Sequence, residues 1–336
     1  MLEMLDDDGR YAVVRGHDTL TLSDRVADVG ATILPAAGNV VAQLTMRGTP
    51  ILRWPYDSLT DFQARPAWNG IPLLAPWANR LDEQAFHANG VRYPLNPDSI
   101  DPRWPLPIHG FLGFAAGWRV TTEGADASGC WVTSRLEVWR RPEWMAQFPF
   151  AHDLVMTHRL ADGRLSIETT IQNHSDSPLP VAIGFHPYFH LGDAPRDTWV
   201  LSLPAQRRWV LSPALLPTGE TVPTDAVYAD RHAIRLDGLA LDDVFTDLDR
   251  DEAGLATIVA QGQGRAIEVT LGPRFRALVV YAPEPRANDA PFICIEPMAA
   301  ITNAFNLAHR GLYHDLQSVP AGGTWQETFS VKPSGF

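Results

Sequence analysis

Residues 165–172 read LSIETTIQ, and their alternation decides the fold class. Leu165, Ile167, Thr169 and Ile171 fall on one face of an extended chain, while Ser166, Glu168, Thr170 and Gln172 fall on the other. Side chains of a strand alternate sides, so a period of two marks a strand with one buried face. An amphipathic helix would instead repeat its apolar residues three and four apart.

The same period recurs outward from this stretch, at 134–140 (SRLEVWR), 266–271 (AIEVTL), 276–282 (RALVVYA) and 324–331 (TWQETFSV). At 84–95, QAFHANGVRYPL sets Asn89-Gly90 between two β-compatible runs, which predicts a tight hairpin. Between strands lie Pro- and Gly-rich loops such as NPDSIDPRWPLP at 96–107 and YAPEPRANDAP at 281–291. Helical periodicity is nearly absent, and there is no internal repeat, low-complexity tract or linker-like shift in composition. Many short strands without alternating helices predict an all-β fold, a large antiparallel β-sandwich. At about 150 residues per domain the 336 residues allow two, but such a sandwich can take the whole length. The reading is one domain over 1–336.

Composition narrows the function. Lys+Arg total 27 against 39 Asp+Glu, and a net charge of −12 disfavours nucleic acid and anionic membrane as partners. Lys332, in the tail SVKPSGF, is the one lysine. It suits neither a Schiff-base or pyridoxal-phosphate enzyme nor a P-loop. The two cysteines, Cys130 and Cys294, exclude a cysteine-only zinc site and a disulfide framework, and free thiols fit them better than a single bridge. The acidic opening MLEMLDDDGRYAVVRG has no apolar h-region, so no signal peptide is read. No apolar run approaches a membrane span. The expectation is a cytoplasmic soluble protein.

Ionisable groups stand among aromatics, glycines and prolines at 75–81 (APWANRL, with Asn79 and Arg80), 106–118 (LPIHGFLGFAAGW, with His109), 180–191 (PVAIGFHPYFHL, with His186) and 291–298 (PFICIEPM, with Glu296). Alternation puts Phe292, Cys294 and Glu296 on one face of the last segment. A carboxylate there is costly to desolvate unless paired, and burial raises its pKa into the range a general base needs near neutrality. A strand-end glutamate reaching solvent or an arginine is the other reading, and the residue alone does not choose. Most of the 11 histidines read as surface or structural groups, and His109 and His186 stand out only by their surroundings. His186 and His190, in H-P-Y-F-H, share a strand face with Tyr188, but Pro187 spoils a helix and H-E-x-x-H is missing. A metal site is therefore the weaker reading. The 11 tryptophans hint at sugar stacking, although a large β core uses tryptophan too.

Taken together and in order, these segments resemble the aldose 1-epimerase (galactose mutarotase-like) family. The resemblance runs through GIPLLAPWANRL at 70–81, IHGFLGF at 108–114 and FPF at 148–150. It continues through HRLADGRLSIETTIQNHSDSPLPVAIGFHPYFHL at 158–191, LLPTGE at 215–220, LDDVF at 241–245 and ICIEPMAAITNAFN at 293–306. It implies a galactose mutarotase-like supersandwich and cofactor-free interconversion of the α and β anomers of a free aldose. By that resemblance Glu296 is the base at the anomeric hydroxyl, His186 the acid at the ring oxygen, and His109 a hydrogen-bonding partner near that oxygen. Arg80, with Asn79 beside it, holds sugar hydroxyls, and Asp242 fixes the orientation of the pyranose. Such roles imply a bell-shaped pH profile.

Three positions depart from the family pattern. Asp243 follows the aspartate where many relatives have histidine, so either Asp242 or Asp243 is the expected sugar ligand. His190 stands where the best-known mutarotases have asparagine. Gly113 stands where the hexose-6-phosphate branch has a phosphate-binding arginine, which favours an unphosphorylated sugar unless Arg140, Arg141 or loop arginines substitute. A hexose-6-phosphate 1-epimerase, a non-catalytic sugar-binding or regulatory module, and a metal enzyme using His186, His190 and a carboxylate are the alternatives. The partner expected is a small-molecule sugar, the chain being a monomer or homodimer. Cys294, on the face of Glu296, is expected to line the pocket and react with thiol reagents.

Overall fold

The computed structural model describes residues 3–6, 9–96, 104–284 and 291–336. Most of the loop read at 96–107 and of that read at 281–291 lies outside the described residues. Residues 165–172 sit inside the strand Arg164–Asn173, whose odd-numbered positions from Leu165 to Asn173 are buried and whose even ones are half-buried. It pairs antiparallel with His152–Ala161 on one side and Thr324–Ser334 on the other. These strands are central in a nine-stranded sheet that begins at Arg119–Asp126 and Gly129–Glu137. An eight-stranded sheet carries Leu241–Leu248, Ala277–Ala282 and Ile293–Met298 side by side. A six-stranded sheet is formed by the first strands, up to Thr49–Pro50. All pairings between these strands are antiparallel, the all-β sandwich expected from the alternation.

The two large sheets face each other through aromatic side chains. Phe185 of the eight-stranded sheet lies 4.7 Å, ring centre to ring centre, from Phe329 of the nine-stranded one, and Phe275 packs on both. All three are buried to within 1%. Each is worth roughly 1.5–3 kcal/mol of burial. One cluster of buried side chains joins all three sheets, including Leu22, Ile33, Ile167, Val331, Leu278 and Ile295.

Local chemistry explains the ends of the elements. Asn89 and Gly90 have φ of 52° and 77°, the positive pair that a two-residue hairpin turn needs. The strand read at 134–140 stops at Glu137 and becomes a 3-10 turn over Val138–Arg140. Pro142, which opens a short helical turn, requires an extended Arg141 before it (φ −113°, ψ 98°), and this breaks the run. The final strand runs past the expected 331 to Ser334 and includes Pro333. Its pairing with Arg164–Asn173 ends at Val331, so Pro333 has a strand on one side only and its missing N–H breaks no ladder. Among the described residues no helix is long and apolar enough to cross a membrane.

Candidate active site

The eight-stranded sheet positions the chemistry through its register. Asp242 is opposite Tyr281, Tyr281 opposite Cys294, and Cys294 opposite Tyr188. Residues opposed across antiparallel strands point to the same face. This row therefore shares a face with Glu296, two residues along from Cys294. The opposite face carries Asp243, Val280 and Ile295. On the first face opens a cavity of about 460 Å³, and Glu296, His186, His109, Asn79, Arg80 and Asp242 all line it.

Asp243 and Cys294 do not line it. Asp243 is turned away from the cavity, where its carboxylate accepts from Arg208 Nε at 2.6 Å and from the Tyr228 hydroxyl at 2.6 Å. Of the two aspartates left open by the sequence, Asp242 is the one at the cavity. Cys294 is fully buried beneath the cavity face, and Tyr188, its register partner, lines the wall instead. Both cysteines are free thiols.

Glu296 is 1% exposed, on a strand buried along its whole length. His186 follows Gly184–Phe185, where its amide donates to Pro72 O at 3.1 Å and its ring stacks on Tyr188 at 4.6 Å. Its Nε2 lies 3.3 Å from Glu296 Oε1. Among the described residues His186 Nδ1 and Glu296 Oε2 have no hydrogen-bond partner, an unusual debt for two buried polar atoms. Burial, reinforced by Asp242, pushes the Glu296 carboxyl well above the usual carboxylate range, while Arg80 works the other way. Burial pushes the His186 imidazole down, and Arg80 adds to that. Both shifts widen the pH range over which the pair carries a single proton. With the proton on Glu296 both groups are neutral; with it on His186 they form an ion pair.

His109 and Asn79 lock each other. Both have left-handed backbones, with φ of 62° and 58°. The His109 amide donates to Asn79 O at 3.0 Å, and the Asn79 amide donates to His109 Nδ1 at 3.2 Å. Burial, then His186 and Arg80, hold the His109 ring neutral. Since Nδ1 accepts, the ring proton is on Nε2, and His109 is a donor. Gly110 follows because a Cβ there would lie 2.1 Å from Ala75 O. Burial also raises the Asp242 carboxyl, against the pull of Arg80.

Other expectations fall outside the cavity. His190 does not line it: the strand ends at Phe189, and His190 Nδ1 accepts from the Gly192 amide at 3.1 Å. Among the described residues no group of three or more His, Cys, Asp or Glu side chains is placed to hold a metal ion. Arg140 pairs with Glu137 at 3.0 Å and Arg141 lies over Trp144, so neither reaches the cavity, whereas a loop arginine, Arg53, does line it. Sequence reasoning missed Arg53, Trp68, Trp104, Tyr188 and Tyr281 as lining residues. Alternation within HPYFH signals Tyr188, but Arg53 and Trp68 come from loops with no distinguishing pattern.

Solved structures share this architecture. A galactose mutarotase-like protein from Clostridium acetobutylicum superposes with a TM-score of 0.81 at 19% identity, over 100% of this chain and 99% of its own. A galactose 1-epimerase from Lactobacillus acidophilus gives 0.75 at 15% identity, over 99% and 98%. An aldose epimerase homologue from C. elegans gives 0.71 at 19% identity, over 92% and 96%. At these identities the likeness defines the class of fold, that of the galactose mutarotases. The sequence pattern of the aldose 1-epimerase family matches residues 17–332. The chain belongs to the aldose 1-epimerase family.

Proposed function

We propose that the chain interconverts the α and β anomers of an unphosphorylated aldose by proton transfer through the open-chain form. The observation that carries this reading is the 3.3 Å contact between His186 Nε2 and Glu296 Oε1 in the cavity. Opening a hemiacetal removes the O1 proton and delivers one to the ring oxygen as the C1–O5 bond breaks and C1=O1 forms. Glu296 takes the first proton and His186 supplies the second, each transfer being worth about 10²–10⁴-fold. Rotation about C1–C2 then presents the other carbonyl face, and reversal of both transfers closes the ring to the other anomer.

The pair's proton count stays at one throughout. The cyclic complex has the ion pair and the open-chain complex the neutral pair, which burial favours. His109 offers its Nε2–H near the ring oxygen, while Arg80 and Asp242 hold hydroxyls. Anomer exchange measured by NMR tests the reading, with galactose, glucose, xylose, arabinose and glucose 6-phosphate on wild type and Glu296→Gln. Acceleration on a free sugar that the variant loses supports it. Binding without acceleration on any of them would make the chain a sugar-binding module.

A further inference from the structure

We propose that the cavity continues into a subsite for a second, uncharged sugar ring, and that the protein accepts 1→6-linked disaccharides at their reducing residue. The inference rests on the proposed roles of Glu296 and His186.

A second cavity, of about 340 Å³, shares Trp68, Trp104 and Ile108 with the first. Both volumes fall in the range of roughly 300–1,000 Å³ typical of small-molecule sites. Trp77, Phe111 and Trp144 form more of the second wall, and among the described residues no charged side chain lines it. Trp77 is 3% exposed, yet its indole Nε1–H has no acceptor among the described residues. Flat indole faces suit the C–H faces of a pyranose. Among the described residues a phosphate there would meet no opposite charge.

The order of side chains sets the direction. In a pyranose the ring oxygen joins C1 to C5, so the C5 substituent lies across the ring oxygen from O1. With O1 at Glu296 and the ring oxygen at His186, that substituent points on toward His109, whose ring is 5.3 Å from that of His186. The Trp68 ring is 5.0 Å from that of His109, and Trp68 lines both cavities. Gly113 keeps it there, because a Cβ at 113 would come 2.6 Å from the Trp68 ring.

The test is NMR anomer exchange on glucose and galactose, on isomaltose and (1→6)-linked galactobiose, and on maltose as a 4-linked control. It compares wild type with Trp144→Ala, which removes one wall, and Ala115→Phe, which fills the space from another lining residue of the second cavity. For the accepted sugar, wild type should turn over the 6-linked disaccharide at least as efficiently as the monosaccharide. Both variants should lower the disaccharide-to-monosaccharide ratio of kcat/KM about tenfold. Turnover of monosaccharides with exclusion of their 6-linked forms, a ratio unmoved in both variants, or an equal fall for maltose would overturn this inference alone. No acceleration on any sugar would overturn the acid–base reading and this one with it.

Discussion

Asp242 and Asp243 are neighbours in the chain and stand on opposite faces of one strand, Asp242 in the cavity wall and Asp243 bound to Arg208 and Tyr228. Their substitutions should therefore fail differently. Asp243→Asn weakens a buried charge-assisted contact and should cost about 2 kcal/mol of stability, read from denaturant unfolding. Asp242→Asn should leave stability nearly unchanged and raise KM for the sugar. Equal loss of stability in both would contradict the assignment of faces.

The pH dependence follows from the shared proton of Glu296 and His186. Adding a second proton to the pair removes the base, and removing the last one removes the acid. Burial holds the imidazole below its ordinary value and the carboxyl above its own. The profile of kcat/KM, which reports the free enzyme, should then have its acid limb below the ordinary imidazole value of about 6.5 and its alkaline limb above the carboxyl value of about 4.3. Both limbs belong to the pair rather than to either residue. An acid limb at or above the ordinary imidazole value would contradict the burial argument.

Burial of Glu296 also makes stability depend on pH. Its folded pKa is raised. Between the unfolded value and the folded one, the folded state holds a proton that the unfolded state lacks, so stability falls as pH rises, by up to about 1.4 kcal/mol per unit. Glutamine does not titrate. Glu296→Gln should therefore gain on wild type in stability from pH 5 to pH 8 while losing anomer exchange by about 10²–10⁴-fold. A stability difference independent of pH across that range would count against a raised carboxyl.

Neither thiol should react in the folded protein. Cys130 and Cys294 are 0% exposed, and burial raises both thiols, Cys294 well above its ordinary value. A buried neutral thiol is a poor nucleophile. A chromogenic disulfide reagent should titrate no thiol in native protein and both after unfolding. Rapid native labelling that sugar prevents would return Cys294 to the cavity wall.

The alternation at 165–172 and the Asn89-Gly90 turn were legible because strand period and turn geometry are local properties. Glu296, His186 and His109 were legible as candidates because each stands in an apolar setting, and the ordered segments around them carry the family resemblance. The choice between Asp242 and Asp243, and the covering of Cys294, depend on which residues face one another across strands far apart in sequence. No local pattern encodes that register. Arg53 and Trp68 reach the cavity from loops, where periodicity has nothing to say. Of the tryptophans, Trp68 and Trp104 are at the cavity, and Trp199 and Trp325 are in the core.

Asn79 and His109 give the last prediction. Each holds a left-handed backbone, and their reciprocal hydrogen bonds fix the His109 ring as a donor through Nε2. Asparagine tolerates this conformation, glycine adopts it freely, and a β-branched residue pays about 1–2 kcal/mol or more for it. The bond to His109 Nδ1 comes from the backbone of residue 79, so it survives any side-chain change that preserves φ. Asn79→Gly should keep the fold and the His109 tautomer, visible as a protonated Nε2 in nitrogen NMR of the imidazole. Asn79→Val should lower stability and reduce kcat, because moving this backbone releases the ring. If Asn79→Gly protonated Nδ1 instead, the backbone of residue 79 would not be what orients His109.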